Sequence, residues 1–360
     1  MRILVHEFVS GGGLAGQPLT PSLAREGGAM LTALVADLAA LGRHQILATR
    51  DRRCSPAAPP GVEVVTLEPA TREARLDELI ASVDAVWPIA PESGGSLERL
   101  AARIEQKRKI VLGSSAAAVH RAADKAGLAR RLECAGVSHP KTVVLRSDRR
   151  CDAAASTIGY PLIVKPVRGA GCTAVYYVRT GRDLRPSIHK CRRTCGREPL
   201  IVQAFEAGTP ASVSLLADGC RAVVLAVNGQ SLSGRRELSY HGGITPLDHP
   251  RAGRAADAAV RTCRALPGLR GYIGVDLVLT ASEAVIIEVN PRLTTAYLGL
   301  RRAIDENIAA LALDACLGSL PAPPPVRRRV RFEPDGRFVV IQGHAVRQPQ
   351  SAPGSQRRYT

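Results

Sequence analysis

Over its first 112 residues the chain alternates short apolar runs with stretches of helical periodicity, and this alternation restricts the fold more than any other feature. A run at residues 2–5 flows into a glycine-rich loop, Ser10-Gly11-Gly12-Gly13. Met30, Leu31, Leu34, Val35, Leu38 and Leu41 then share one helical face, with Gly42 as the stop. Apolar runs return at 45–48, 62–67, 85–89 and 110–112, with helical stretches near 71–82 and 96–107 between the later ones. Strands that alternate with helices predict an open α/β layer with a mostly parallel sheet over residues 1–115.

From about residue 116 the texture changes. A helix is expected over 121–135, and strands near 141–145, 161–167, 174–178, 200–204, 211–216 and 222–227. Two further apolar runs, 271–279 and 284–289, are joined by a hairpin-like break at 281–283, and a last helix is expected over 295–317. Mixed strands with few helices predict an α+β region. After Pro321 the chain is proline-rich, then basic at Arg327, Arg328, Arg329 and Arg331, with a hairpin about Pro334-Asp335-Gly336. The polar tail beyond about 345 is expected to be disordered.

Composition narrows the function classes. Apolar residues are 45% of 360, enough for a sizeable core, while aromatics at 3% argue against a base-stacking groove. The net charge of +17 comes mainly from arginine, since only six residues are lysine, and it suits anionic small substrates such as nucleotides as well as it suits a polyanion. With no base-reading motif, nucleic acid is disfavoured as a partner. Nine cysteines lack any Cys-x-x-Cys pair. The one cluster, His189, Cys191 and Cys195, has no second ligand pair for zinc, so reduced thiols are expected. No apolar run reaches the roughly 20 residues of a membrane span, and His6 and Glu7 follow too soon after the start for a secretory leader. A cytoplasmic protein without a membrane partner is expected.

The chemistry lies in a set of elements in fixed order. Gly113-Ser114-Ser115 precedes Asp124-Lys125, and a strand ending in Lys165-Pro166 leads into Arg168-Gly169-Ala170-Gly171. Val202-Gln203-Ala204-Phe205 follows, then Asp276, and last Glu288-Val289-Asn290-Pro291-Arg292. Lys125 and Lys165, on separate elements, can neutralise phosphate oxygens. Gly169 and Gly171 let backbone N–H groups approach a phosphate without side-chain obstruction. Asp276 and Glu288 sit inside apolar runs, where an acid is costly unless it meets a cation. Asn290 shares a strand face with Glu288, and the three oxygens make a hard donor set suited to Mg²⁺. Singly, each feature has an ordinary reading as a solvated charge, a turn or a loop cap; together and in order they point to Mg²⁺-bound ATP.

This arrangement resembles the ATP-grasp superfamily over residues 1–318. The resemblance implies an α/β N-terminal domain plus an α+β two-lobed ATP-grasp fold: 1–115, a central lobe at 116–205, a C-terminal lobe at 206–320, then the hairpin and tail at 321–360. It implies that Lys125 and Lys165 bind the nucleotide and that residues 168–172 form the mobile phosphate-covering loop. Gln203, Ala204 and Phe205 would form the hinge that reads adenine, and Asp276, Glu288 and Asn290 would ligate Mg²⁺, with Mn²⁺ as a substitute. Arg292 would reach the reacting phosphoryl or acyl group, making it and Lys165 the catalytic pair. Two positions depart from the pattern. Relatives carry a ribose-binding acid where this chain has Thr209, Pro210 and Ala211, leaving Glu206 as the substitute, and several carry an arginine where this chain has Gly274.

Shorter strings, His6-Glu7-Phe8-Val9-Ser10-Gly11-Gly12-Gly13, Ile89-Ala90-Pro91-Glu92, residues 210–214 and Gly242-Gly243-Ile244-Thr245-Pro246, resemble the branch that includes the tyramine–glutamate ligases of methanofuran-type cofactor synthesis. That implies an ATP-dependent carboxylate–amine ligase working through an acyl phosphate on small-molecule substrates such as glutamate and tyramine, in one-carbon cofactor (methylofuran-type) synthesis. The alternatives are another ATP-grasp activity, such as bicarbonate activation, or a non-catalytic ATP-binding protein; a homo-oligomer is compatible with each. On this reading residues 10–13 either touch substrate or form a plain turn. Glu7 and Glu92 either hold an ammonium or cap the surface. Ser212 and Ser214 border the nucleotide cleft or the core. Residues 240–246 suggest a substrate loop, and Cys172 has no base beside it to make it a nucleophile.

Overall fold

The alternation at the start of the chain builds a fully parallel sheet. β1 (Arg2–Glu7), β2 (Gln45–Arg50), β3 (Glu63–Thr66), β4 (Ala85–Ile89) and β5 (Ile110–Val111) pair in the order β3-β2-β1-β4-β5. The crossover helices are α1 (Pro21–Ala39), α2 (Arg72–Ala81) and α3 (Ser96–Gln106). Central β1 is buried on both sides, with Ile3 and Val5 against α1 and Leu4 against α2 and α3. The computed structural model describes residues 1–54, 58–171, 173–234 and 237–341; the tail beyond 345 therefore lies outside the described residues.

The glycine-rich loop after β1 packs on itself rather than opening a crevice. Glu7 accepts hydrogen bonds from the Val9 N–H (3.1 Å) and from the Ser10 N–H and hydroxyl (2.5 and 2.6 Å). A Cβ on Gly11 would stand 2.1 Å from the Glu7 carbonyl oxygen, and one on Gly13 2.5 Å from the Phe8 ring. Only glycine permits so tight a turn here.

The helix expected over 121–135 is two helices, α4 (Ala116–Ala123) and α5 (Lys125–Cys134). Asp124 breaks the run because its carboxylate accepts from the N–H groups of Ala126 (3.1 Å) and Gly127 (3.0 Å), capping a new helix. That cap puts Lys125 at the head of α5. β6 (Thr142–Leu145), β7 (Leu162–Pro166), β8 (Tyr176–Val178) and β9 (Leu200–Ala204) form an antiparallel sheet in the order β6-β9-β7-β8. α6 (Cys151–Ile158) and α7 (Gly181–Cys195) cover one face, over Leu162, Val164, Leu200 and Val202. Strand alternation turns Ile163, Lys165, Ile201 and Gln203 to the other face.

The last sheet is antiparallel and seven-stranded. β10 (Thr209–Asp218), β11 (Ala222–Ser233), β12 (Ser239–Thr245), β13 (Arg270–Leu279), β14 (Ala284–Asn290), β15 (Arg329–Phe332) and β16 (Phe338–Ile341) run β14-β13-β10-β11-β12-β15-β16. α8 (Ala252–Arg264) covers one face over Val213, Leu215, Ile273 and Val275. α9 (Ala296–Ala303) and α10 (Ile308–Cys316) cover part of the other, and they replace the one helix expected over 295–317. Asn307 ends the break between them by capping α10 through the Ala310 N–H (3.1 Å).

Residues 240–246 were expected as a loop, yet most of them are strand β12. Gly243 allows this: a Cβ there would lie 2.2 Å from the Gly229 carbonyl oxygen, so β11 and β12 approach closely only because it has none. The hairpin about Pro334–Gly336 forms, but β15 pairs with β12 and so extends the C-terminal sheet. α1 shares one apolar cluster with α9, α10 and Phe332, joining the N-terminal domain to the C-terminal lobe, while the central sheet with α6 and α7 keeps a cluster of its own and α4 and α5 pack into the core of the C-terminal lobe. Asp37, the charge that interrupts the apolar face of α1, accepts from Arg301 Nε (2.8 Å) and the Tyr297 hydroxyl, and its carbonyl accepts from Asn307 (2.7 Å). Among the described residues no helix is long and apolar enough to cross a membrane.

His6 is buried at the end of β1, with Nδ1 2.7 Å from the Thr49 hydroxyl. Burial, aided by the Arg103 charge, lowers its pKa from 6.5 to about 4. In the unfolded chain it takes a proton near 6.5, so its contribution to stability is complete above that pH and is lost as pH falls toward 4. The expected loss is about 3 kcal/mol at most. Urea melts of His6→Gln should show a correspondingly shallower decline in stability between pH 6.5 and 4.

Candidate active site

Two acids face each other across neighbouring strands. Asp276 of β13 is paired in register with Glu288 of β14, and Ser212 of β10 lies opposite Asp276 on the other side. Asn290 donates to one Asp276 oxygen (3.0 Å), and Gln230 of β11 donates to the other (2.9 Å). The three residues expected as metal ligands are thus brought together on one sheet face. Gly274 sits opposite Asn290, and a Cβ there would already meet Thr294 Cγ2 at 2.7 Å, so the arginine expected of relatives has no room.

The two lysines come to these acids from different elements. Lys125 Nζ lies 3.1 Å from Glu288 Oε2 and donates to the Gly169 carbonyl (2.8 Å). Lys165 is buried on the open face of the central sheet and acts on Glu288 through its charge. The paired acids therefore differ. Burial, then the facing Glu288 charge, raises the Asp276 carboxyl well above its ordinary value. Burial would also raise Glu288, but the charges of Lys125 and Lys165 outweigh it and hold that carboxyl low.

The loop after β7 is only partly turned toward this centre. Gly169 receives Lys125, and Gly171 takes the left-handed backbone (φ 64°) that favours glycine. The Arg168 guanidinium instead lies beside His120 (3.1 Å) and Glu98 (3.6 Å). Cys172 lies outside the described residues. Gln203, Ala204 and Phe205 end β9 and lead into the link to β10. Gln203 donates to Thr142 (2.9 Å), the Ala204 N–H donates to the Lys141 carbonyl (2.9 Å), and Phe205 packs edge-on against Tyr177 at 4.8 Å. Glu206, next in the link, has its carboxyl raised by burial and by Glu283.

Arg292 holds a partner 200 residues away. Its Nε and Nη2 bind the two Glu92 oxygens at 2.9 and 3.1 Å, with Glu92 3% exposed. Glu92, read from the sequence as either an ammonium holder or a surface or capping acid, is instead committed to an arginine, and the N-terminal domain reaches the site through it. Ser214, the other serine considered for the cleft border, is a core hydroxyl that accepts from Tyr272 (2.8 Å) and Asn228 (3.0 Å). Sequence spacing gave no sign of Gln230 or of the Glu92–Arg292 pair, because each contact depends on strands or domains that meet only in the fold.

Two carboxylates, an amide oxygen and two lysines between facing sheets fit a magnesium ion with the phosphates of ATP: hard oxygens for the metal, ammonium groups for the phosphates. A cleft of about 720 Å³ opens beside Gln230 and Tyr240, with Ser22 and Arg25 of α1 on its wall, giving room for an organic substrate next to Asp276. A larger cleft of about 840 Å³ between α1, α9 and the hairpin tip shares Arg25 with it but is lined by neither lysine and by none of Asp276, Glu288 and Asn290.

Comparison with known proteins bears on the family and the fold. Residues 122–296 match the family described as ATP-grasp domain, and residues 44–119 match the pre ATP-grasp 3 domain. The tyramine--L-glutamate ligase of Methanocaldococcus fervens is 31% identical over 133 residues, 35% of this chain and 44% of that protein. The carbamoyl phosphate synthase large chain of Thermus thermophilus is 24% identical over 70% of this chain and 25% of its own length. The chain thus aligns with less than half the length of each of these curated relatives. A crystal structure of an ATP-grasp superfamily protein from Archaeoglobus fulgidus superposes with a TM-score of 0.70 at 24% identity, covering 92% of both chains.

Because Glu92 and Arg292 are buried together, removing one leaves the other uncompensated. Glu92→Ala should lower stability by about 3–5 kcal/mol. A double-mutant cycle with Arg292→Met, read by chemical denaturation, should show the two losses to be far from additive.

Proposed function

From a chain that belongs to the ATP-grasp superfamily, with a pre-ATP-grasp domain ahead of its ATP-grasp fold, we propose an ATP-dependent ligase that joins a carboxylate to an amine. The observation that carries this reading is the Lys125–Glu288 contact, with Lys165 beside it, because it puts phosphate-binding cations against a metal-type acid pair across two lobes. The likeness to a tyramine--L-glutamate ligase, confined to part of the chain, supports glutamate and tyramine as the first substrates to test, in one-carbon cofactor synthesis.

On this reading ATP is a substrate. The acid's oxygen attacks the γ-phosphorus in line, the bond to ADP breaks, and an acyl phosphate forms; the amine then attacks the acyl carbon, loses a proton and displaces phosphate, leaving an amide. Asp276, Glu288 and Asn290 hold Mg²⁺, which supplies charge neutralisation at the phosphates. Lys125 and Lys165 offset charge as it shifts to the leaving oxygen. The link at Gln203–Phe205 seats the base, and residues 168–171 shield an intermediate that water would destroy. Arg292, oriented by the bidentate Glu92, presents its remaining guanidinium edge to the acyl group. No nucleophilic side chain is needed, since positioning and electrostatics supply the catalysis.

A second reading, activation of bicarbonate, is favoured by the longer match to carbamoyl phosphate synthase. ADP release that depends on bicarbonate and needs no amine would replace the ligase reading with that one.

The test is an ADP-release screen with Mg-ATP and acid–amine pairs, glutamate with tyramine first. Lys165→Ala and Glu288→Ala should each lower turnover by at least about 100-fold with circular dichroism unchanged. Normal turnover in either purified variant refutes the assignment.

A further inference from the structure

One phenol beside the site has no role in the scheme above. Tyr240, near the start of β12, lines the cleft of about 720 Å³ together with Gln230, the residue that donates to Asp276 (2.9 Å). Its hydroxyl is fixed from another element by Thr295, which donates to it at 3.1 Å. Thr295 stands at the head of α9, next to Thr294. Thr294 Cγ2 lies 2.7 Å from where a Gly274 Cβ would stand, and Gly274 is two residues from Asp276 on the same strand face. The Tyr240 hydroxyl is thus tied to the wall of the metal site at Thr295, while the residue itself lines the substrate cleft.

The hydrogen of that hydroxyl is uncommitted. Thr295 occupies one lone pair, and among the described residues no group accepts from Tyr240. Burial raises the phenol above its ordinary value; the Thr295 bond offsets part of the rise and the Asp276 charge adds to it, so the group stays a donor at neutral pH. Nearby donors are already spent. Arg292 gives two guanidinium N–H groups to Glu92 and a third to the Leu293 carbonyl (3.0 Å). Gln230 gives its amide to Asp276. Tyr272, the other phenol at this face, donates to Ser214 (2.8 Å) inside the core.

Amide formation from an acyl phosphate gathers charge on one atom. The amine nitrogen bonds to the acyl carbon, and the carbonyl electron pair moves onto its oxygen. That pair then returns, the bond from carbon to the phosphate oxygen breaks, and the nitrogen's proton leaves with the phosphate. A donor fixed in advance beside the acyl oxygen lowers the barrier to this step, because nothing has to reorganise as the charge appears. We propose that the Tyr240 hydroxyl donates a hydrogen bond to the acyl oxygen as the amine attacks, an inference that rests on the ligase reading. Tyr240 is then a catalytic residue of the second half-reaction, and Thr295 is the residue that positions it.

The experiment compares wild type with Tyr240→Phe and Thr295→Val, using Mg-ATP and the acid–amine pair that supports ADP release, glutamate with tyramine first. Positional isotope exchange in ATP labelled at the β,γ bridge oxygen, run with the acid and no amine, reads acyl phosphate formation by itself. The amine's kcat/KM reads its attack. Tyr240→Phe should lower that kcat/KM by about 100-fold, with isotope exchange, the KM for ATP and the melting temperature unchanged. Thr295→Val, which keeps the phenol and removes its anchor, should lose about 5-fold in the same parameter. An unchanged amine kcat/KM in Tyr240→Phe overturns the proposal and leaves the ligase reading intact. So does an equal fall in isotope exchange and in amide formation, the result a purely structural role would give. A wild type that neither exchanges the label nor releases ADP overturns the ligase reading, and the proposal with it.

Discussion

Two like charges face each other across β13 and β14, and the rest of the site is arranged around that repulsion. Asp276 and Glu288 are in register, so neither can turn away without leaving the strand face. In a partly desolvated setting the pair holds only because Lys125 and Lys165 stand against Glu288 while amides from Asn290 and Gln230 meet Asp276. The lysines belong to the other side of the cleft: one heads α5, the other lies on the central sheet. A charge problem in one lobe is thus solved by its neighbour, and ligands that bridge the two find donors already facing them.

The apolar packing divides the labour differently. The N-terminal domain and the C-terminal lobe share one core through α1, α9 and α10, fastened by Asp37 to Tyr297, Arg301 and Asn307. The central sheet with α6 and α7 packs on its own cluster, whereas α4 and α5 share the apolar cluster of the C-terminal lobe through Ala118, Ala122, Leu128 and Leu132; polar contacts such as Lys125 to Glu288 and Arg168 to Glu98 bridge the rest. Surfaces joined by charge rather than by buried apolar area separate at lower cost, so the fold concentrates its rigidity where Arg292 and Glu92 must stay in register.

Several elements differ from their sequence reading for local reasons. Helical periodicity carries through 121–135, but it does not register that Asp124 satisfies two N–H groups of a new helix better than it continues an old one. Residues 240–246 carry turn formers, yet Gly242 and Gly243 serve close strand approach, a distinction that depends on what lies across the sheet. The hairpin at 334–336 was legible; its pairing with β12 was not.

The order of Lys125, Lys165, Asp276, Glu288, Asn290 and Arg292, and the shift from alternating to mixed elements near residue 116, were determined by the sequence alone, because residue type and strand period fix which groups are present and which face each takes. Only the tertiary structure decided that Glu92 belongs to Arg292 and that Gln230 belongs to Asp276. The reason is physical: a charge or amide chooses among groups by distance and desolvation, and both exist only after distant segments have packed.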